Sequence, residues 1–151
     1  MLTACSASAG DSASSTLGLA EVCFETCSTI DGAPFTAAQV KQCRQATDAI
    51  RFWDLIPGVA TDDALAAART DLVDAVRADA KAVARLAAPT AAEVEWAWFT
   101  KVLRDDVARL ARPTDKATFG STMRGLGDTY GQFAGKCSDV ITWSWQHSPR
   151  P

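Results

Sequence analysis

Apolar residues recur along most of this chain at spacings of three and four, the period of an amphipathic helix. Proline and glycine cut the pattern into five segments. The first predicted helix runs from Leu17 to about Thr29 and is broken by Asp31-Gly32-Ala33-Pro34. Thr36-Ala-Ala-Gln39 then has the form of a capping box, in which each side chain satisfies a backbone N–H of the other residue. A second helix continues from it to about Leu55, with Val40, Cys43, Ala46, Ile50 and Trp53 along one side, and Pro57-Gly58 ends it. The third starts near Thr61, with Asp62 and Asp63 at the positive end of its dipole. It carries Leu65, Leu72, Val76, Val83 and Leu86 on one side, and its other side is charged and alanine-rich.

Pro89 stops that helix, and Thr90-Ala-Ala-Glu93 predicts a second capping box at the start of a fourth helix ending at Arg112. Val94, Trp98 and Val102 form one row on it; Trp96, Phe99, Leu103, Val107 and Leu110 form the next. So broad an apolar face is expected of a helix with neighbours on two sides. The fifth, about Asp115 to Trp145, has the most regular stripe: Phe119, Met123, Leu126, Tyr130, Phe133, Cys137 and Val140. Alternating steps of four and three are the seam of a bundle helix. Beside it Gly127, Gly131 and Gly135 form a bare row. Each glycine costs roughly 1 kcal/mol against alanine in a helix interior, so the row predicts a closely approaching helix; a ligand packed on the bare backbone, or a local kink, would also accommodate it. No strand-like alternation of useful length occurs. The expected fold is all-α: an antiparallel bundle of four to five helices joined by short connections.

With 151 residues, of which 48% are hydrophobic, the chain can bury a substantial core. A net charge of -3 supplies no basic footprint and disfavours a nucleic-acid partner. No apolar run is long enough to span a bilayer. Candidate chemistry is sparse. His147 is the sole histidine, which removes the commonest general base. The pairs Glu21/Glu25, Glu93/Glu95 and Asp105/Asp106 read as solvated faces or helix-start charges. There is no Glu-x-x-His pair for a di-iron site, no phosphate loop and no nucleophile elbow. Neither an enzyme, a metal site nor a cofactor is expected.

Five cysteines are present. Setting Cys5 aside leaves Cys23, Cys27, Cys43 and Cys137, an even set able to form two disulfides outside the cytosol. Cys23-x-x-x-Cys27 also places two thiols one turn apart, the spacing of a copper- or zinc-binding helix, but no Cys-x-x-Cys or histidine partner supports it. If the first two helices form a hairpin turning near Gly32, Cys23 and Cys43 fall opposite one another. That favours bridges from Cys23 to Cys43 and from Cys27 to Cys137.

Leu2-Thr3-Ala4-Cys5 is an aliphatic residue and two small ones before a cysteine. It resembles the lipobox of bacterial lipoproteins, with Cys5 in the lipidated position. The resemblance implies anchoring to the outer face of the cytoplasmic membrane through lipid on Cys5, or secretion if Cys5 is not lipidated. A working signal needs a basic stretch and about 7 to 15 apolar residues before its cleavage site, so coding sequence upstream of Met1 is expected. Ser6 to Thr16 is nearly all Ser, Ala and Gly, a flexible spacer. Abundant alanine, and ten Arg against five Lys, resemble the bias of high-GC actinobacterial proteins, small helical lipoproteins among them. The expected layout is lipobox and spacer over 1–16, bundle over 17–146, and a tail over 147–151.

Aromatic residues supply the remaining feature. Phe35, Trp96, Trp98, Tyr130, Phe133, Trp143 and Trp145 are expected toward one pole, and Trp143 and Trp145 lie about 200° apart on a helix, so both cannot face the core. Trp and Tyr are favoured anchors of binding surfaces. Trp143, Trp145, Trp96 and Trp98 are therefore the candidate contact residues for a protein or envelope partner. The leading expectation is a non-catalytic interaction or binding module; the alternatives are a carrier of an apolar small molecule held between the helices and an enzyme of unrecognised kind.

Overall fold

The computed structural model describes residues 35–147. The predicted helix over 17–29, Cys5, Cys23, Cys27 and the spacer lie outside the described residues. Within them the chain is all-helical and no strand is present. Six α-helices follow one another: α1 (Ala37–Asp48), α2 (Phe52–Leu55), α3 (Asp62–Ala67), α4 (Arg69–Val83), α5 (Glu93–Leu110) and α6 (Lys116–His147).

At 32 residues, α6 spans about 48 Å and is the spine of the bundle. α1, α2 and α3 form a broken line antiparallel to it. Phe35 meets Trp143, Trp53 meets Tyr130, and Asp62 meets Arg124 as the two run past each other. α5 lies antiparallel on the other flank of α6, and α4 packs on both α5 and α2. All seven residues of the stripe from Phe119 to Val140 are buried. At mid-height they join an aromatic core in which Phe99 stacks on Phe133 (5.9 Å), Phe52 meets Tyr130 edge-on (5.7 Å), and Trp96 leans on Phe133 (5.0 Å). Such pairs contribute about 0.5–1.5 kcal/mol each beyond their area.

The capping box at Thr36 forms as predicted: Gln39 N donates to Thr36 Oγ1 (3.2 Å) and Thr36 N donates to Gln39 Oε1 (2.9 Å). At Thr90 it does not. Residues 90–92 make one 3-10 turn, and both the N–H and the hydroxyl of Thr90 donate to Gln42 Oε1 on α1 (3.1 Å each). The turn is thereby tied to another helix instead of capping its own.

Two predicted helices are interrupted. The second breaks between Asp48 and Phe52, where Oδ2 of Asp79, from α4, accepts the N–H groups of Arg51 (2.9 Å) and Phe52 (2.8 Å). A carboxylate from another helix thus caps α2 and takes the place of the intrahelical ladder. The third bends at Ala68, so that α3 lies on α6 while α4 swings onto α5. Arg69 anchors the bend. Its Nη2 donates to the carbonyl of Thr114 (2.8 Å), and its guanidinium lies 4.3 Å over the Phe119 ring.

One disulfide is present among the described residues, joining Cys43 to Cys137 across 94 positions, with Cα atoms 5.1 Å apart. The expected bridges from Cys23 to Cys43 and from Cys27 to Cys137 are overturned, since their two described members are bonded to each other. Antiparallel packing of α1 on α6 sets the two residues level, within the range a disulfide tolerates. A hairpin register relates helices adjacent in sequence, whereas α1 and α6 are neighbours only in space.

Candidate functional site

The four indoles expected to form a contact surface do not share an environment. Trp96, only 5% exposed, packs against Phe99 and Phe133 and belongs to the core. Trp98, two positions on, points the other way and is 52% exposed, with Lys101 Nζ 6.0 Å from its ring centre. Val94 is also exposed, so the start of the first apolar row of α5 faces outward, and only its last member, Val102, packs partly against the core. Trp143 is half-buried, held edge-on by Phe35 (5.9 Å) and stacked on the His147 ring (4.3 Å). Trp145 is 67% exposed, with the guanidinium of Arg44 5.9 Å from its ring.

Pairing of Trp96 and Phe99 with Phe133 sets Trp98 about a dozen residues below Trp145, some 18 Å along the axis. Trp143 and Trp145 thus share the C-terminal end of α6 but project from opposite sides of it, Trp143 onto Phe35 and Trp145 beside Arg44, and Trp98 lies apart from both. Tyr130 and Phe133 sit at mid-height, away from that pole. Of the glycine row, Gly127 is approached by Trp53 and Ile56, whereas a Cβ on Gly131 or Gly135 would meet nothing within 4 Å among the described residues. Among the described residues, only the first of the three has a close neighbour.

Carboxylates add two buried groups that patterning missed. Asp79 is 1% exposed. Its Oδ2 accepts the N–H groups of Arg51 and Phe52, its Oδ1 has no partner among the described residues, and burial pushes its carboxyl up from the ordinary carboxylate range despite those hydrogen bonds. Asp106 is also buried, raised by desolvation and paired with exposed Arg109 (3.2 Å), so it is not part of a solvated face. Its neighbour Asp105 is exposed and pairs with Lys101 (2.9 Å). Beside Asp79, burial first and the charges of Asp54, Asp79 and Asp48 second push the Tyr130 phenol up to about 12. No group of three or more metal-ligating side chains occurs among the described residues. None of the described helices is long and apolar enough to cross a membrane.

Between α4 and α5 lies an open groove of about 430 Å³. Val83, Trp96 and Leu103 form its buried floor. Ala80 on α4 and Ala84, the residue that caps its C-terminus, make the depression, and Thr100 and Arg104, one turn apart on α5, are its polar side. The alanine-rich flank of the third predicted helix was the one trace of this groove in the sequence; which helix faced it could not be read from spacing. No protein-family model, no curated protein and no solved structure matches this chain.

Proposed function

We propose that this protein is an exported helical module of the bacterial envelope, anchored through lipid on Cys5, that works by binding and carries out no chemistry. One observation carries the reading. Cys43 and Cys137 are fully buried and bridged between helices far apart in sequence, a structural cross-link of the kind that persists in oxidising compartments and is rare in the cytosol. The exposed indole of Trp145, beside Arg44, offers a contact surface for a protein or envelope partner, as large amphipathic anchors do. A small-molecule carrier is the second reading, favoured by the groove on α4 and α5 in place of a cavity between the helices.

The test is made in the native host with the natural upstream sequence. Thiol labelling without reductant should find Cys43 and Cys137 protected, and the protein should partition into the detergent phase with a mass increment for acylated Cys5. Cys5→Ser should release it from the membrane fraction. Free thiols at Cys43 and Cys137 in freshly lysed cells would overturn the export reading.

A further inference from the structure

We propose that the groove between α4 and α5 binds a small carboxylate with an apolar tail. Its volume of about 430 Å³ lies in the range of small-molecule sites, which are mostly apolar with few polar groups that fix orientation. Trp96, Val83 and Leu103 are nearly or wholly buried, yet each contributes to the groove wall. An apolar tail laid there removes its own surface from water against a floor that is already ordered.

Charge decides the other end of the ligand. Arg104 is exposed and, among the described residues, has no ion-pair or hydrogen-bond partner. The nearest acidic side chain in sequence, Asp105, is hydrogen-bonded by Lys101 at 2.9 Å and feels the Arg104 charge without contacting it. Arg77, on α4, pairs with Asp74 (3.5 Å). A guanidinium without an ion-pair partner among the described residues, at the rim of an apolar trough, matches a carboxylate in its planar, two-point geometry. Thr100 points its hydroxyl at the Ala97 carbonyl (3.3 Å), which leaves the oxygen free to accept only, so it adds no second donor. A cationic or neutral head group would leave the guanidinium unmatched.

The site rests on the groove alone and is independent of the compartment proposed above. Decanoate is the probe, with decanol and decylamine as the neutral and cationic counterparts, titrated into the ¹⁵N-labelled full chain and followed by amide shifts. Decanoate should give saturable shifts confined to residues 80–84 and 96–104, and should bind more tightly than either counterpart. Arg104→Gln should weaken decanoate roughly fivefold, the worth of one exposed charge contact, and leave decanol unchanged. Ala84→Phe, at an exposed position, should block all binding without lowering the melting temperature. Equal affinity for decanoate and decanol, an unaffected Arg104→Gln variant, shifts centred elsewhere, or no saturation would each overturn the site.

Discussion

A single carboxylate sets the geometry of the middle of this molecule. Asp79 reaches across from α4 to hold the start of α2, and Asp79→Ala would leave the N–H groups of Arg51 and Phe52 without their acceptor. A loss of about 2–3 kcal/mol is expected, because the lost bonds are to an ionisable acceptor and the orphaned N–H of Phe52 is buried. Asp79→Asn keeps an acceptor and should lose less; urea unfolding of the three proteins checks the order. Burial raises the carboxyl of Asp79 in the folded state, so its proton-linked stabilisation is complete below the unfolded pKa and declines as pH rises through the folded one. The stability advantage of wild type over Asp79→Asn should therefore shrink from about pH 4 upward.

Tyr130 gives a second residue-scale test. It is the only tyrosine of the chain, so phenolate absorbance reports it alone. Ionisation should come at about 12 in the folded protein and return to about 10 in denaturant. Because the folded value is the higher, stability is lost as pH rises between the two. A phenolate transition near 10 in native protein would place the ring in water instead of the aromatic core.

At the scale of elements, what could be read in advance was what depends on neighbours in sequence. The box at Thr36 and Gln39 needs only residues three apart, and the α6 stripe repeats over 32 residues. The breaks could not be read, because each is held by a partner far along the chain: 28 positions to Asp79, 45 from Arg69 to Thr114, 48 from Thr90 to Gln42. The indole surface was half legible for a related reason. Spacing shows that Trp96 and Trp98 face opposite ways, but only the position of α6 decides which is inside. The glycine row divides likewise, and this yields a prediction. Gly131→Ala and Gly135→Ala should each stabilise by up to about 1 kcal/mol, whereas Gly127→Ala places a Cβ 3.2 Å from Trp53 Cζ3 and should gain less or lose. Chemical denaturation of the three variants measures the contrast; destabilisation at Gly131 would show that the open face is covered by something.

For the whole molecule, the Cys43–Cys137 bond ties the leading strand of helices to the spine near one end. At the other end Asp63 pairs with Lys116, and Asp62 with Arg124 (2.7 Å). Those surface pairs are worth little singly. The disulfide, closing a loop of 94 positions, is worth about 4–5 kcal/mol by the chain-entropy argument. Cys43→Ala with Cys137→Ala should lower unfolding free energy by up to that amount, and peptide mapping of oxidised protein should recover 43 linked to 137. Recovery of Cys23 linked to Cys43 would restore the hairpin pairing instead.

That same bond reroutes mechanical load. Pull the chain by its two termini and tension travels along the first 43 residues, crosses the sulfur atoms and leaves through the residues after 137, so the intervening loop is bypassed. Force applied between the termini would then unravel only the parts outside the loop. In optical tweezers, adding reductant should release about 34 nm of extra contour from those 94 positions, slack that the oxidised protein never yields.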